Sequence, residues 1–128
     1  MTPMIKLIQK RIESANAFTN RPGNKYGNRK YKSYRNSWYE FLGLYFPKLE
    51  FPQTKKITVK ITRGYSGKRY DFDNFVTGCK PLFDYLVKAN YLKDDSDALV
   101  TRIYKQVKIM RNAEWTEIEI SNGKAVLE

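Results

Sequence analysis

Residues 74–89 carry Phe75, Cys79, Leu82, Phe83 and Leu86 on one stripe at helical spacing. A helix with a single apolar stripe must bury it against another element, and the flanking segments offer a sheet. Residues 55–63 alternate Ile57, Val59 and Ile61 with polar residues, the pattern of a half-buried strand. Residues 99–110 read as a long strand and 115–120 as a shorter one, joined at 111–113 as a hairpin. Residues 4–12 supply a first strand with Ile5 and Leu7 on one face. Between the first strand and residue 55, Pro22, Gly23 and Gly27 predict a loop over 19–36. A short helix follows over 37–46, with Ser37 and Glu40 as a capping box, Trp38, Phe41, Leu42 and Tyr45 as its apolar face, and Pro47 as its stop. Pro81 inside the second helix removes one hydrogen bond and predicts a bend. The expectation is one α+β domain over residues 1–128, a mixed β-sheet packed with two helices.

Composition narrows the chemistry. A chain of 128 residues can bury a hydrophobic core without staples. Its single cysteine, Cys79, permits no internal disulfide and sits on the apolar stripe as a small hydrophobe. No apolar run approaches the roughly 20 residues of a membrane span. The first twelve residues are too charged for a signal peptide, so no membrane partner and a cytoplasmic location are expected. Histidine is absent, which removes Ser-His-Asp and Cys-His chemistry and His-ligated zinc. The ionisable toolkit is Asp, Glu, Lys, Arg and Tyr.

Net charge is +11, unevenly spread: residues 1–69 hold 16 Lys/Arg against 3 Asp/Glu, and residues 70–128 hold 8 against 10. Such a basic half suits a polyanionic partner. Carboxylates repel that partner, so the run Asp71-Phe-Asp73-Asn74 and the later pair Asp94-Asp95 ask for a reason. Carboxylate oxygens, completed by phosphate and water, are the shell Mg²⁺ prefers. If the strand is still extended here, Asp71 and Asp73 share one face, and Asn74 opens a helix whose free N–H groups suit a phosphate oxygen. Asp94-Asp95 follow that helix at a turn back toward the sheet, and carboxylates from the two positions could bind one or two ions for phosphodiester hydrolysis. The competing expectation is a non-catalytic nucleic-acid-binding module, with the same acids as helix-cap and turn residues. The chain holds no Pro-Asp dipeptide and no acid-x-Lys triplet, so the common restriction-type nuclease pattern is unsupported.

Asp71-Phe-Asp73-Asn74, then Gly78-Cys-Lys80-Pro81-Leu-Phe-Asp84, then Leu92-Lys-Asp94-Asp95-Ser96 resemble the RusA family of Holliday junction resolvases. The shared pattern is an Asp-x-Asp-Asn entering a helix, a Lys or Lys-Pro-Leu-x-Asp within it, and an Asp-Asp just after. It spans residues 70–97, and agreement outside that window is looser. The resemblance implies a RusA-like homodimer and a Mg²⁺-dependent endonuclease, with Mn²⁺ as substitute, in bacterial cells and especially their phages and prophages. Such enzymes act in DNA recombination and repair, placing paired symmetric nicks in branched DNA. The resemblance makes Asp71, Asp73 and Asp95 the metal-binding catalytic acids, with Asp94 and Asn74 accessory. Some members place the catalytic lysine four residues after the second Asp, where this chain has Thr77; others place it at the position of Lys80. Lys80 faces the same way as Asp73 about 10 Å further along the helix, to contact phosphate or the leaving group, or else pairs with Asp84 at i+4.

DNA contact is expected from the 19–36 loop, where Arg21, Lys25, Arg29, Lys30, Lys32 and Arg35 stand without any acid. Tyr26, Tyr31 and Tyr34 are interleaved there and could stack on exposed bases. Lys68 and Arg69, directly before the first acid, are expected at the backbone near the cut. Arg102, Lys105 and Lys108 on the long strand read as ordinary surface charge.

Overall fold

A computed structural model describes residues 4–18, 29–94, 98–110 and 113–122. The elements are β1 (Met4–Ile8), a short 3-10 turn (Ala15–Ala17), α1 (Arg29–Tyr45), β2 (Ile57–Tyr65), α2 (Phe72–Lys88), β3 (Val100–Lys108) and β4 (Trp115–Asn122). They build the expected α+β architecture, a mixed four-stranded sheet with two helices, in the strand order β1-β4-β2-β3. β2 and β3 are parallel, joined by α2, while β4 runs antiparallel to both β1 and β2. The core gathers Trp38 and Leu42 of α1, Phe75, Cys79 and Leu82 of α2, and Val59, Ile61, Ile118 and Ile120 of the sheet. The α2 stripe is buried at all five predicted positions. Burial pushes the Cys79 thiol well up from its ordinary value, as fits a packing residue.

Several expectations are corrected. The two C-terminal strands are not a hairpin: β4 inserts between β1 and β2, and β3 takes the edge. β2, expected half-buried, is buried over most of its length and lies inside the sheet, so both of its backbone edges need a hydrogen-bonded neighbour. The α2 crossover delivers β3 parallel on one side, and the alternating Thr116, Ile118 and Ile120 fill the other. The first helix begins at Arg29, not at Ser37. Tyr31 and Tyr34 continue the Trp38–Leu42 stripe back toward the N-terminus at helical spacing. Ser37 therefore lies mid-helix, its hydroxyl accepting a 2.6 Å bond from Lys10 Nζ rather than capping. Phe41 and Tyr45 stay 36% exposed on the helix flank, so the buried face is narrower than expected there. β1 stops at Ile8 instead of residue 12, although Ile12 is still fully buried.

Gly78 shows how closely α2 approaches the chain after β1. A Cβ at that position would collide with the Glu13 carbonyl and touch Ile12. Tyr34 bridges the same contact, donating to the Gly78 carbonyl at 2.6 Å and accepting from the Glu13 N–H at 3.1 Å. Gly78→Ala is expected to lower stability by about 1–3 kcal/mol through overpacking, despite alanine's better helix propensity. A urea midpoint that falls at unchanged m is the readout.

Candidate functional site

The chain reaches its acid segment through a tethered turn. Arg63, near the end of β2, is only 1% exposed. Its guanidinium pairs with Glu114 at 3.1 Å and donates to Gln106 Oε1 at 2.8 Å. It also donates to the Lys68 carbonyl at 3.4 Å and lies 3.4 Å over the Tyr70 ring. Gln106 holds Tyr70 from both sides, accepting from its N–H at 3.1 Å and donating to its carbonyl at 3.0 Å. The Tyr70 hydroxyl donates to the Ile12 carbonyl at 3.0 Å, and the Ser66 N–H reaches Glu114 at 3.4 Å. Residues 66–70 are thus fixed at several points immediately before Asp71. Arg63, Gln106 and Glu114 carry no motif that marks this role in the sequence.

Asp71 occupies the N-cap of α2 with extended backbone, φ −60° and ψ 151°, and its side chain makes no capping bond. Asp73 falls in the first helical turn. The two acids are therefore not successive same-face residues of a strand; they flank a helix start, where the macrodipole and free N–H groups favour anions. Both are exposed, and neither has an ion pair among the described residues. Cap duty does not use the Asp71 carboxylate, which leaves its oxygens available to a cation. Asn74 is half-buried one residue further on, while Lys68 and Arg69 are exposed just ahead.

Asp94 is exposed beyond the other end of α2. That helix has 17 residues, about 25 Å of length, and the parallel β2–α2–β3 path carries the chain back to the start of the sheet. The turn there is held by bonds from Gln53 N–H to the Asn90 carbonyl and from Ile57 N–H to the Leu99 carbonyl. Within one chain, Asp94 and Asp73 belong to opposite ends of the domain. Asp95 lies outside the described residues. Among the described residues no group of three potential ligands converges. Asp71 and Asp73 nevertheless fit Mg²⁺ by donor chemistry, since that ion is commonly held by one or two carboxylates with phosphate and water.

Lys80 pairs with Asp84 at 2.9 Å on the exposed side of α2. The two line a shallow cavity of about 290 Å³ with Thr77, Phe83, Arg102 and Tyr104. Burial pushes the Tyr104 hydroxyl up to about 12, so it stays protonated at neutral pH and is no general base there. An exposed i,i+4 pair stabilises little, and Asp84→Asn is expected to change the unfolding free energy by less than about 0.5 kcal/mol. Thermal melts of the two proteins check this.

The basic segment is partly helical. Arg29, Lys30 and Lys32 are exposed in the first turn of α1. Arg29 and Lys30 border a cleft of about 450 Å³ shared with Glu13 and Phe18. Arg35 lies over the Tyr39 ring at 5.8 Å. Arg21, Lys25 and Tyr26 lie outside the described residues. Base stacking by Tyr31 and Tyr34 is corrected: Tyr31 is 3% exposed and packs edge-on against Phe18, and Tyr34 stacks on Phe18 while its hydroxyl is committed to Gly78 and Glu13. Their rings are needed inside because α1 starts earlier than expected. No helix among the described residues is long and apolar enough to cross a membrane. No protein-family model matches the chain, and no curated protein matches its sequence.

Proposed function

We propose that the protein is a magnesium-dependent, structure-selective DNA endonuclease that resolves Holliday junctions by paired symmetric nicks, working as a homodimer in recombination and repair within a bacterial cell or its phage. The observation that carries the reading is the pair Asp71 and Asp73. In a chain of net charge +11, two exposed carboxylates sit at a helix start, relieved of capping, directly behind Lys68 and Arg69. A tethered turn presents them, as preorganised catalytic groups require.

Asp71 and Asp73 would hold the ion. Bound Mg²⁺ supplies an activated water and a Lewis acid for the scissile phosphate. Lys68, Arg69 and the first N–H groups of α2 bind flanking phosphate oxygens. Arg29, Lys30, Lys32 and Arg35 of α1 grip the duplex arms, with Arg21 and Lys25 ahead of them. The RusA-like motif adds Asp95 as a third metal acid and Asp94 as an accessory one. Lys80 contacts phosphate or the leaving group only by giving up Asp84. The non-catalytic branched-DNA-binding module remains the second reading, favoured by the position of Asp94 at the far end of α2.

The deciding experiment offers end-labelled four-way junctions and linear duplexes to the protein, with Mg²⁺ or with EDTA. Nicks in the junction alone, dependent on Mg²⁺, support the nuclease; retained junction with full binding supports the module. A binding measurement adds a separate check. Replacing Lys68 and Arg69 together by Ala should reduce the salt slope of junction binding by roughly 2, one phosphate contact each.

A further inference from the structure

Position 72 lies between the two acids, and the Asp-x-Asp-Asn pattern does not specify it. In this chain it is phenylalanine, the first residue of α2, three before Phe75 and so about one turn beyond the buried stripe. Its side chain is 64% exposed and forfeits most of what burying a ring contributes. Phenylalanine is also a weaker helix former than the straight-chain residues. Neither core packing nor helix propensity accounts for a large ring at this point.

The ring is nevertheless held. It meets Tyr104 of β3 edge-on, with centroids 5.8 Å apart and planes at 88°. Phe75 and Phe83 brace the same tyrosine, each at 5.9 Å. Tyr104 in turn lines the 290 Å³ cavity that also holds Lys80 and Arg102, whose guanidinium lies 5.4 Å from the Phe83 ring centroid. Exposed Lys68 and Arg69 stand just ahead in sequence. A braced aromatic ring bordered by cations suits a nucleic-acid base stacked on the ring with its backbone neutralised alongside. A protein partner fits less well. Charged residues are depleted at the core of protein interfaces, whereas Lys68, Arg69, Asp71 and Asp73 all stand exposed within four residues of this ring.

We propose that Phe72 recognises the branch point itself, stacking on a base-pair face that four-way DNA exposes and duplex DNA hides. Inside a duplex every pair is covered on both faces. At an open branch point the terminal pair of each arm loses its neighbour on one side, which leaves a flat π face. The proposal rests on the branched-DNA part of the reading above, which the nuclease and the binding module share. Lys68 and Arg69 bind phosphate on any DNA and supply affinity; the ring supplies the preference for a branch. A pair seated on Phe72 also brings its own backbone beside Asp71 and Asp73, one residue to either side.

Binding is measured in EDTA, where cleavage plays no part, by fluorescence anisotropy on an immobile four-way junction and on a linear duplex. Hairpin loops close every arm and both duplex ends, so the branch alone exposes pair faces. Wild type should prefer the junction. Phe72→Ala should weaken junction binding roughly 5- to 100-fold, the worth of one stacked base, and leave duplex binding within about 2-fold. Phe72→Trp should keep the preference, because indole offers a larger π face. Phe72→Leu, apolar but without such a face, should behave like Phe72→Ala. A fluorescent base analogue at the branch should respond to wild type and not to Phe72→Ala. Far-UV circular dichroism checks folding, and Phe72→Leu, which keeps bulk against Tyr104, decides the matter if Phe72→Ala misfolds. Equal losses on both DNAs, no loss on either, or full binding by Phe72→Leu overturns the proposal. Wild type that binds neither DNA overturns it together with the DNA reading. Nicking with Mg²⁺ is scored separately: a ring-dependent preference without nicking sinks only the nuclease reading, and nicking with the preference untouched in Phe72→Ala sinks only the stacking role.

Discussion

Asp73→Asn is expected to lower Mg²⁺-dependent junction nicking by roughly 10³-fold or more, the scale of losing a ligand to a catalytic ion. Junction binding should persist or tighten, because the substitution removes a negative charge facing a polyanion. Asp71→Asn should behave alike. Both carboxylates stand exposed at the start of α2, outside the ion pairs of the described residues. Among the described residues neither side chain makes an ion pair, and an acid in a first helical turn contributes at most about 1 kcal/mol, so the melting temperature should stay close to wild type. Single-turnover nicking beside a gel-shift titration gives both readouts. If both substitutions leave nicking intact, the metal reading is wrong; if both also lower stability strongly, the acids are structural.

Glu114→Ala is expected to cost about 3–5 kcal/mol of stability, because it strands a buried guanidinium. Arg63 is 1% exposed and pairs with Glu114 at 3.1 Å. Arg63→Ala should cost a similar amount, since it leaves Glu114 buried without its principal partner and removes the cation seated on Tyr70. The double variant should cost less than the sum, as contact partners do in a double-mutant cycle. Urea unfolding of the four proteins measures the coupling. The same turn carries the chain into Asp71, so Glu114→Gln, which keeps the shape and loses the charge, should also depress nicking more than its milder loss of stability explains.

Where periodicity was strong, the architecture was legible. The five-residue stripe of α2 follows from one-sided burial, and α2 stands where that pattern puts it; β2 also stands near its alternating segment, but it is buried over most of its length rather than half-buried. The start of α1 was hidden by local chemistry. Asn and Gly nearby suggest a loop, and Ser37 with Glu40 imitates a capping box about two helical turns too late. Strand order was hidden for a different reason. Which strand is buried on both sides is a property of the whole sheet, and residues 109–114 carry no signal that forbids a hairpin.

At the site, a helix entered near Asn74 was legible from the apolar stripe, but its first turn begins earlier, at Phe72 with Asp71 as N-cap, so Asp71 and Asp73 flank a helix start rather than sharing a strand face. The separation of Asp94 from that start corrects the expected joint cluster, and its physical reason is the helix itself, which over 74–89 already spans more than 20 Å. Continuing the β2 alternation Ile57, Val59, Ile61 by one step also lands Arg63 on the core face. A charged residue at the end of an apolar alternation reads as the edge of the core, and only the three-dimensional proximity of Glu114, Gln106 and Tyr70 makes its burial favourable.

The most direct test of the central claim is a single gel that maps strand breaks on a synthetic four-way junction with Mg²⁺, wild type beside Asp73→Asn, with bound complexes resolved in parallel. The account predicts paired nicks at symmetry-related positions from the wild type alone, with the variant binding at least as tightly. Shifted junction with no nick from either protein would contradict it, and would leave a branched-DNA-binding module whose acids have no catalytic role.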